Sequence, residues 1–290
     1  MDHLFDHRAQ ALFRRRALRS TDHGARFLME AAVQDLADRL AVVGRSFGPS
    51  AAIHCRTVDA TRVILASGKA TNVLRLESDA VLLNGDGLVT PPDELPLDPG
   101  SIGLAVSLYA LDAVNDVPGM LIQIRRALRP DGLFLGCMAG AGTLAELRES
   151  LIAAEIELSG GASARVHPFA DVRDVGALLQ RAGFALPVAD IETVTVRYGS
   201  MLPLIADLRA MGATNALIGR SRHPARRELF VRAAQIYAER FADPDGRLRA
   251  TFSTIWMSGW APDASQQKPL RPGTAKVSLK EVLGGRPDET

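Results

Sequence analysis

His54 and Cys55 stand next to each other in the segment AAIHCRTVD, residues 51–59, and both residue types can bind metals or take part in catalysis. Neighbouring residues of a strand point to opposite faces, so this pair is not expected to form a catalytic dyad or to hold one ion. The other histidines lack zinc-ligand spacing: they are His3, His7, His23, His167 and His223. The chain has no G-x-S-x-G segment and no Walker lysine after a glycine-rich loop. The sequence therefore predicts neither a metal site nor a catalytic nucleophile.

The composition indicates a globular protein built around one large domain. The chain has 290 residues, 47% hydrophobic and 23% charged, and a net charge of +1, so no global field favours nucleic acid. Two cysteines, Cys55 and Cys137, are too few for a disulfide framework and indicate a reducing compartment. No apolar run reaches the roughly 18 residues of a membrane span, and MDHLFDHRAQ lacks the apolar centre of a signal peptide. We expect a cytoplasmic protein, and peripheral association with a membrane is compatible with this expectation.

The N-terminal segment is basic. RAQALFRRRALR spans residues 8–19, and Arg14, Arg15 and Arg16 are its densest charge. One interpretation is a solvated basic face, and the other is an arm that docks an acidic protein partner through these three arginines. We expect residues 1–24 to form this arm, residues 25–262 the folded domain and residues 263–290, rich in Pro, Gln, Gly and Lys, a disordered tail.

Short apolar runs alternate with helical patterns, which is typical of βαβ units around a parallel sheet. A stripe of apolar residues spaced by three and four predicts a first helix over residues 25–46. The predicted strands are 51–54, 73–76, 80–83, 102–108, 132–138, a strand within 189–198 and a last strand within 250–261. The later helices are predicted at 116–129, 142–158, 171–182, 200–211 and 222–241.

One long segment gives the sequence its family resemblance. DELPLDPGSIGLAVSLYALDAVNDVPGMLIQIRRALRPDGLFL, residues 93–135, resembles the second half of a class I S-adenosylmethionine-dependent methyltransferase. The segments RVHPFADVRDVGALLQRAGFALPVAD, DLRAMGATNAL and RRELFVRAAQIYAERFADPDGRLRATF, and the basic N-terminal segment, resemble a narrower family. That family is the bacterial form of the methyltransferase-fold assembly factors of respiratory complex I.

The resemblance implies an α/β fold and a partner. It implies a Rossmann-like sheet of seven strands in the order 3-2-1-4-5-7-6, with the last strand antiparallel and helices on both faces. The family is associated with assembling an early quinone-module intermediate of complex I, and a mitochondrial relative is credited with hydroxylating an arginine. We therefore expect a protein partner, either a complex I subunit or an assembly intermediate.

The expected cofactor loop departs from the pattern of the fold. In class I methyltransferases the first strand ends in a DLGCGTG-like loop, whose glycines let the cofactor approach the backbone. In IHCRTVD, Ile53 and His54 replace the acidic–Leu pair, and Arg56, Thr57 and Val58 stand where glycine is expected. Ile102-Gly103 replaces a Phe-Asp pair, and LDAVND, residues 111–116, replaces LHWVND. The sequence therefore predicts an assembly or interaction factor with a degenerate S-adenosylmethionine site, no bound cofactor and no catalytic residue.

Two alternatives stay open. The first is an active S-adenosylmethionine-dependent methyltransferase, or an arginine-modifying enzyme of the same fold, which would use an unusual cofactor loop. The resemblance gives such an enzyme this set of cofactor residues: Ile53, His54, Cys55 and Asp59 in the loop, Glu77 or Asp79 at the ribose, and Asp93 or Glu94 near the adenine. The second alternative is a protein that binds a small molecule in the vestigial cleft.

Overall fold

The computed structural model describes residues 3–20, 24–83 and 85–267. Its centre is a seven-stranded sheet in the order β3-β2-β1-β4-β5-β7-β6. The strands are β1 Gly48–Ile53, β2 Ala70–Glu77, β3 Leu88–Val89, β4 Ile102–Leu108, β5 Leu128–Ala139, β6 Ala185–Tyr198 and β7 Leu248–Trp260. Strands β1 to β5 pair in parallel, and β7 runs antiparallel to both of its neighbours. The predicted fold and strand order are confirmed.

The helices surround this sheet. They are α1 His7–Ala17, α2 Phe27–Ala41, α3 Asp59–Ala66, α4 Ala80–Leu83, α5 Val117–Ala127, α6 Ala145–Ser159, α7 Val172–Arg181, α8 Met201–Ala210 and α9 Arg227–Phe241. Asp116 begins α5 because its side chain accepts the backbone N–H of Gly119. Of the described helices, none combines the length and the apolar character needed to cross a membrane.

Side chains alternate across the central strands, and each face meets its own layer of helices. On one face, Ala51 and Ile53 of β1 belong to a buried cluster with Met120 of α5 and Leu179 of α7. On the other face, Ala52 belongs to a cluster that includes residues of α2 and α3. Both faces of β4 are covered, so the whole strand is buried. This packing fixes the ends of β1, β2 and β4 at one edge of the sheet.

The prediction of a strand over residues 80–83 is wrong, because these residues form helix α4. The Asp79 side chain accepts the backbone N–H of Val81 over 3.0 Å, which is how an acidic residue starts a helix. A run of four apolar residues does not by itself distinguish a strand from a helix. The third strand is instead the exposed pair Leu88–Val89, and helix α3 was not predicted.

The N-terminal segment packs onto the domain. The Asn115 side-chain oxygen accepts the backbone N–H groups of Leu4 and Phe5 over 2.9 and 2.8 Å. Asp6 caps α1 at Ala9 and lies 2.9 Å from the guanidinium of Arg220. The division into arm, domain and tail stays a prediction. Most of the predicted tail, residues 268–290, lies outside the described residues.

Candidate functional site

The candidate site lies at the carboxyl edge of β1, β2 and β4, where ligands of open α/β sheets bind. A cavity of about 1310 Å³ opens there. Its walls come from α1, α2, α6 and the loops after β1 and β4, and they include Arg14, Met29, Arg56, Asp112 and Leu147. Six arginines and three carboxylates are among its described lining residues. Three of these arginines pair with carboxylates, Arg62 with Asp59, Arg75 with Glu77 and Arg165 with Glu155. The remaining lining charges are Arg14, Arg26 and Arg56 against Glu30 and Asp112, so the excess charge is positive.

The loop after β1, residues 54–58, keeps a glycine-like backbone without glycine. His54 has φ 52° and Arg56 has φ 61°, in the left-handed region that side chains disfavour. Val58 has an ordinary φ of −76°. The glycine-like positions are therefore the two residues that flank Cys55, and the predicted assignment of Thr57 and Val58 to such positions is corrected.

His54 is buried, with 3% of its surface exposed. Neither ring nitrogen has a hydrogen-bond partner in the described structure. Burial, aided by the positive charge of Arg14, lowers the pKa of His54 to about 4. The imidazole is therefore neutral at physiological pH, and its polar atoms remain unsatisfied by the described protein groups.

Cys55 lies on the opposite side of the backbone from His54. Its thiol is fully buried in the cluster beneath α2 and α3, and Sγ lies 3.5 Å from the carbonyl oxygen of Val106. Burial raises the pKa of the thiol to about 12, so it is not an activated nucleophile. Across the described residues, no group of three or more His, Cys, Asp or Glu could hold a metal ion.

Glu77 is the last residue of β2, at the position expected for a ribose-binding carboxylate. Its Oε1 lies 3.3 Å from Nη2 of Arg75, and Oε2 has no hydrogen-bond partner in the parts of the chain described. Burial raises the pKa of Glu77 to about 7, against the opposing charges of Arg75 and Arg14. The carboxyl group is thus buried beside a cation, and Glu77 is not among the residues that line the cavity.

Asp79, the other ribose candidate, is already engaged. Its carboxylate binds Arg15 of α1 and caps α4 at Val81. The hydrogen bond from Arg15 is the main reason that the pKa of Asp79 lies below its usual value. Asp79 therefore fastens α1 to the end of β2 and is not available to a ligand.

The remaining loop candidates do not converge on one point. Asp93 accepts the backbone N–H of Asn115 over 2.8 Å and lies 3.5 Å from Nε2 of His7, so it holds the N-terminal segment in place. Glu94 is exposed on the surface. Asp59 lines the cavity but pairs with Arg62 over 3.1 Å, and Ile53 is buried in the core.

The three arginines of the predicted docking arm have different surroundings. Arg14 is only 6% exposed and donates to the Ser78 hydroxyl over 3.2 Å, so its prediction as a surface residue is wrong. The reason is that α1 lies across the cavity, with Arg14 on its inner side. Arg15 and Arg16 are exposed, and their role in partner binding stays a prediction.

Sequence reasoning missed two features. Gly103 lies at the amino end of β4, away from the cavity, so the comparison of Ile102-Gly103 with a pocket position is corrected. A Cβ at Gly103 would lie 2.1 Å from the carbonyl oxygen of Phe47, so packing requires glycine. Asn115 lies in the LDAVND segment that was compared with LHWVND, and it binds the N-terminal segment. The shared Asn-Asp pair was the only sequence signal for this second feature.

S-adenosylmethionine does not match the residues at this edge. Glycines in a cofactor loop leave space beside the backbone, whereas His54 and Arg56 place side chains at these positions. S-adenosylmethionine carries a sulfonium, an ammonium and one carboxylate, so its net charge is positive, and the unpaired charges that line the cavity are also positive in sum. Glu77, the expected ribose acceptor, is 1% exposed and is not among the residues that line the cavity. The residues at this edge therefore do not fit S-adenosylmethionine.

The sequence is similar to known proteins. The model of a family described as "Methyltransferase domain" matches residues 49–136. The chain is 40% identical over 185 residues to "Arginine-hydroxylase NDUFAF5, mitochondrial" of Dictyostelium discoideum, covering 63% of this chain and 42% of the relative. For the protein of the same name from Danio rerio the identity is 40% over 188 residues, covering 65% and 58%. These two matches span roughly half of each relative. With the Mus musculus protein the identity is 36% over 266 residues, covering 88% of this chain and 76% of the relative.

Solved structures share the fold at low sequence identity. A methyltransferase candidate from Bacillus halodurans C-125 superposes with a TM-score of 0.55 at 12% identity, covering 80% of this chain and 100% of the other. The YcgJ protein from Bacillus subtilis gives a TM-score of 0.54 at 11% identity, covering 80% and 99%. At these identities the likeness shows the fold and carries no information about activity.

Proposed function

The chain belongs to the family of methyltransferase-fold complex I assembly factors that includes the NDUFAF5 proteins, and from that premise we propose that it is an assembly or interaction factor for respiratory complex I whose S-adenosylmethionine site is degenerate. The observation that carries the proposal is the β1 loop, where His54 and Arg56 hold left-handed backbone positions with full side chains. Its partner is a complex I subunit or an assembly intermediate, met in the cytoplasm.

The outer face of α1 is the surface on which we place this partner. Arg8 and Arg16 are exposed on α1, and Arg19 is exposed just beyond its end. Arg15 is exposed as well but already pairs with Asp79. The proposed partner presents carboxylates, because guanidinium groups pair well with them. Complementary charge of this kind raises the rate of encounter more than the final affinity, so partner capture is expected to weaken as salt is raised.

The test is complementation in the native host. The gene is deleted, and assembled NADH:quinone oxidoreductase activity is measured after complementation with an Arg8→Gln, Arg16→Gln double variant, which leaves the ion pair between Arg15 and Asp79 intact. The control is Arg226→Gln, Arg227→Gln, which removes the same charge from two exposed residues at the start of α9. The proposal expects reduced activity with the α1 variant and full activity with the α9 variant. Full rescue by the α1 variant contradicts the assigned surface.

A second pair of variants tests the degenerate site. Cys55→Ser and Asp59→Asn change the loop region and are expected to rescue activity, because the proposal gives the cleft no reaction. If either variant is folded by circular dichroism and still fails to complement, a catalytic or ligand-dependent role of the cleft is required.

A second candidate function is an enzyme that modifies arginine or transfers a methyl group. One observation favours it, the cavity of about 1310 Å³ at the carboxyl edge of the sheet. The relatives named "Arginine-hydroxylase" suggest the first of these reactions. Mass spectrometry of complex I subunits from the deletion strain and the complemented strain decides between the functions, because an enzyme leaves a mass change on an arginine or another acceptor and an assembly factor leaves none.

A further inference from the structure

Arg14 is a buried cation whose ionic partner is not supplied by the described protein groups. It is 6% exposed, and the hydrogen bond recorded for its guanidinium goes to the neutral hydroxyl of Ser78, over 3.2 Å. None of the ion pairs between described residues includes it. Burying a charge is costly unless it is paired. Burial and the nearby charge of Arg56 lower the pKa of Arg14 to about 9, against the opposing charges of Asp112 and Glu77, which leaves the guanidinium largely protonated at neutral pH.

Arg56 adds a second guanidinium to the same space. Its side chain lines the cavity together with Arg14, and its Nε is buried without a hydrogen-bond partner among the residues described. Asp112 faces the same region with a buried, unpartnered Oδ1, and Arg75 is occupied by Glu77. Two guanidinium groups therefore face one free carboxylate, and the local charge is positive.

The rest of the cavity wall is apolar. Leu144, Leu147, Leu151 and Phe252 line it, and all four belong to the buried cluster between α6, α8, α9 and β7. Met29 of α2 lies on the wall as well. The cavity thus joins a cationic end at the β1 loop to an apolar end beneath α6, within a volume of about 1310 Å³.

We propose that this cavity binds an amphipathic anion, with a carboxylate or another oxyanion against Arg14 and Arg56 and an apolar body against Leu147, Leu151 and Phe252. The oxyanion supplies the partner that the buried Arg14 lacks, and guanidinium groups bind oxyanions through paired N–H donors. The apolar body removes the exposed hydrocarbon of the cavity wall from water. The proposal concerns the cavity and does not depend on the identity of the complex I partner.

Calorimetric titration of the full chain with four small probes tests the charge requirement. The probes are octanoate, octanol, octyltrimethylammonium and acetate, which separate the charged head from the apolar body. Octanoate is expected to bind saturably and at least tenfold more tightly than octanol or acetate, and the cation is expected not to bind. Equal affinity for octanoate and octanol, tighter binding of the cation or an absence of octanoate binding overturns the proposal.

Two variants locate the site. Arg14→Gln and Arg56→Asn are each expected to weaken octanoate binding at least tenfold, and asparagine tolerates the left-handed backbone of residue 56. Arg16→Gln is the matched control, because Arg16 lies close to Arg14 in sequence on α1 but is exposed and is not among the residues that line the cavity. If the burial of residue 14 prevents the Arg14→Gln variant from folding, the octanoate affinity of Arg56→Asn alone tests the location of the site. Unchanged octanoate affinity in a folded Arg56→Asn variant contradicts the assignment.

Discussion

The Glu77 carboxylate lies 3.3 Å from the guanidinium of Arg75, two residues earlier on the same strand. Residues two apart on a strand share a face, and the Arg75 guanidinium also donates to the carbonyl oxygens of Leu82 and Leu83 in α4. Both residues are buried. At the place where a methyltransferase would present a carboxylate to ribose, this chain has an internal ion pair.

The first prediction concerns the ionisation of Glu77. Its pKa is raised from 4.5 to about 7, so the folded protein holds this proton more tightly than the unfolded chain does. The resulting stabilisation is complete below pH 4.5 and is lost as the pH rises through about 7. The difference in unfolding free energy between wild type and Glu77→Gln is expected to fall by on the order of 3 kcal/mol across this interval. Urea denaturation at a series of pH values measures it, and a constant difference contradicts the raised pKa.

His54 is predicted to show the opposite dependence. Its pKa is lowered from 6.5 to about 4, so the unfolded chain binds this proton more tightly than the folded protein does. The stability contributed by the neutral imidazole is complete above pH 6.5 and is lost as the pH falls through about 4. The difference in unfolding free energy between wild type and His54→Asn, measured in the same denaturation series, is expected to decrease as the pH is lowered. If the difference in unfolding free energy changes with pH in the same direction for Glu77→Gln and His54→Asn, one of the two pKa shifts is contradicted.

The left-handed backbone of Arg56 predicts a stabilising glycine substitution. Arg56 has a φ of 61°, and a left-handed backbone costs a residue with a side chain about 1 to 2 kcal/mol, which glycine does not incur. The greater conformational freedom of glycine in the unfolded chain lowers this gain in stability by about 0.5 to 1 kcal/mol. Arg56→Gly is therefore expected to raise the unfolding free energy by about 0.5 to 1 kcal/mol.

Arg62→Gly is the control for this substitution. Arg62 lies inside helix α3, where glycine is expected to cost about 1 kcal/mol. Thermal and urea denaturation of both variants give the comparison. A loss of stability of the same size in both variants contradicts the strained geometry of the β1 loop.

Asn115 is predicted to hold α1 over the cavity. Its side-chain oxygen accepts two backbone N–H groups, from Leu4 and Phe5, and its amide donates to the carbonyl oxygen of Phe5. Asn115→Ala is expected to lower the unfolding free energy by about 2 kcal/mol, since each bond contributes about 1 kcal/mol or less. Hydrogen exchange of the α1 amides is expected to accelerate.

The control for Asn115→Ala is Gln34→Ala, which removes an exposed side-chain bond to Asp38. Such a surface bond contributes little, so neither stability nor exchange is expected to change. If the α1 amides exchange at the same rate in both variants, Asn115 does not fasten the N-terminal segment.

The order of the sheet could be predicted because its signals are local or carried by the family pattern. The segment 116–135 contains a helix cap at Asp116, a buried apolar stripe and the turn at Asp131-Gly132 before the rest of strand β5, and the structure follows it closely. The run 51–54 lies centrally in the sheet as predicted. These features depend on periodicity and turn chemistry, which a single sequence displays.

The features that determine the geometry of the candidate site depend on contacts between residues far apart in the sequence, and sequence periodicity does not predict such contacts. The burial of Arg14 requires α1 to pack near Gly212, where an added Cβ would lie 3.3 Å from the Arg14 Cα. The position of the loop glycines was misassigned because His54 and Arg56 have no sequence mark of a left-handed backbone. The exposed strand Leu88–Val89 shows no alternation of apolar and polar residues, because two residues are too few to form such a pattern.

Isothermal titration of the purified full chain with S-adenosylmethionine tests the central claim most directly. The filled loop at His54 and Arg56 and the positive cavity predict no saturable heat with millimolar S-adenosylmethionine. A parallel thermal melt is expected to stay unchanged, although a ligand at 100 times its dissociation constant would stabilise the fold by about 2.7 kcal/mol. Saturable binding together with a rise in melting temperature would contradict the degenerate site and would make the enzyme the better account of this protein.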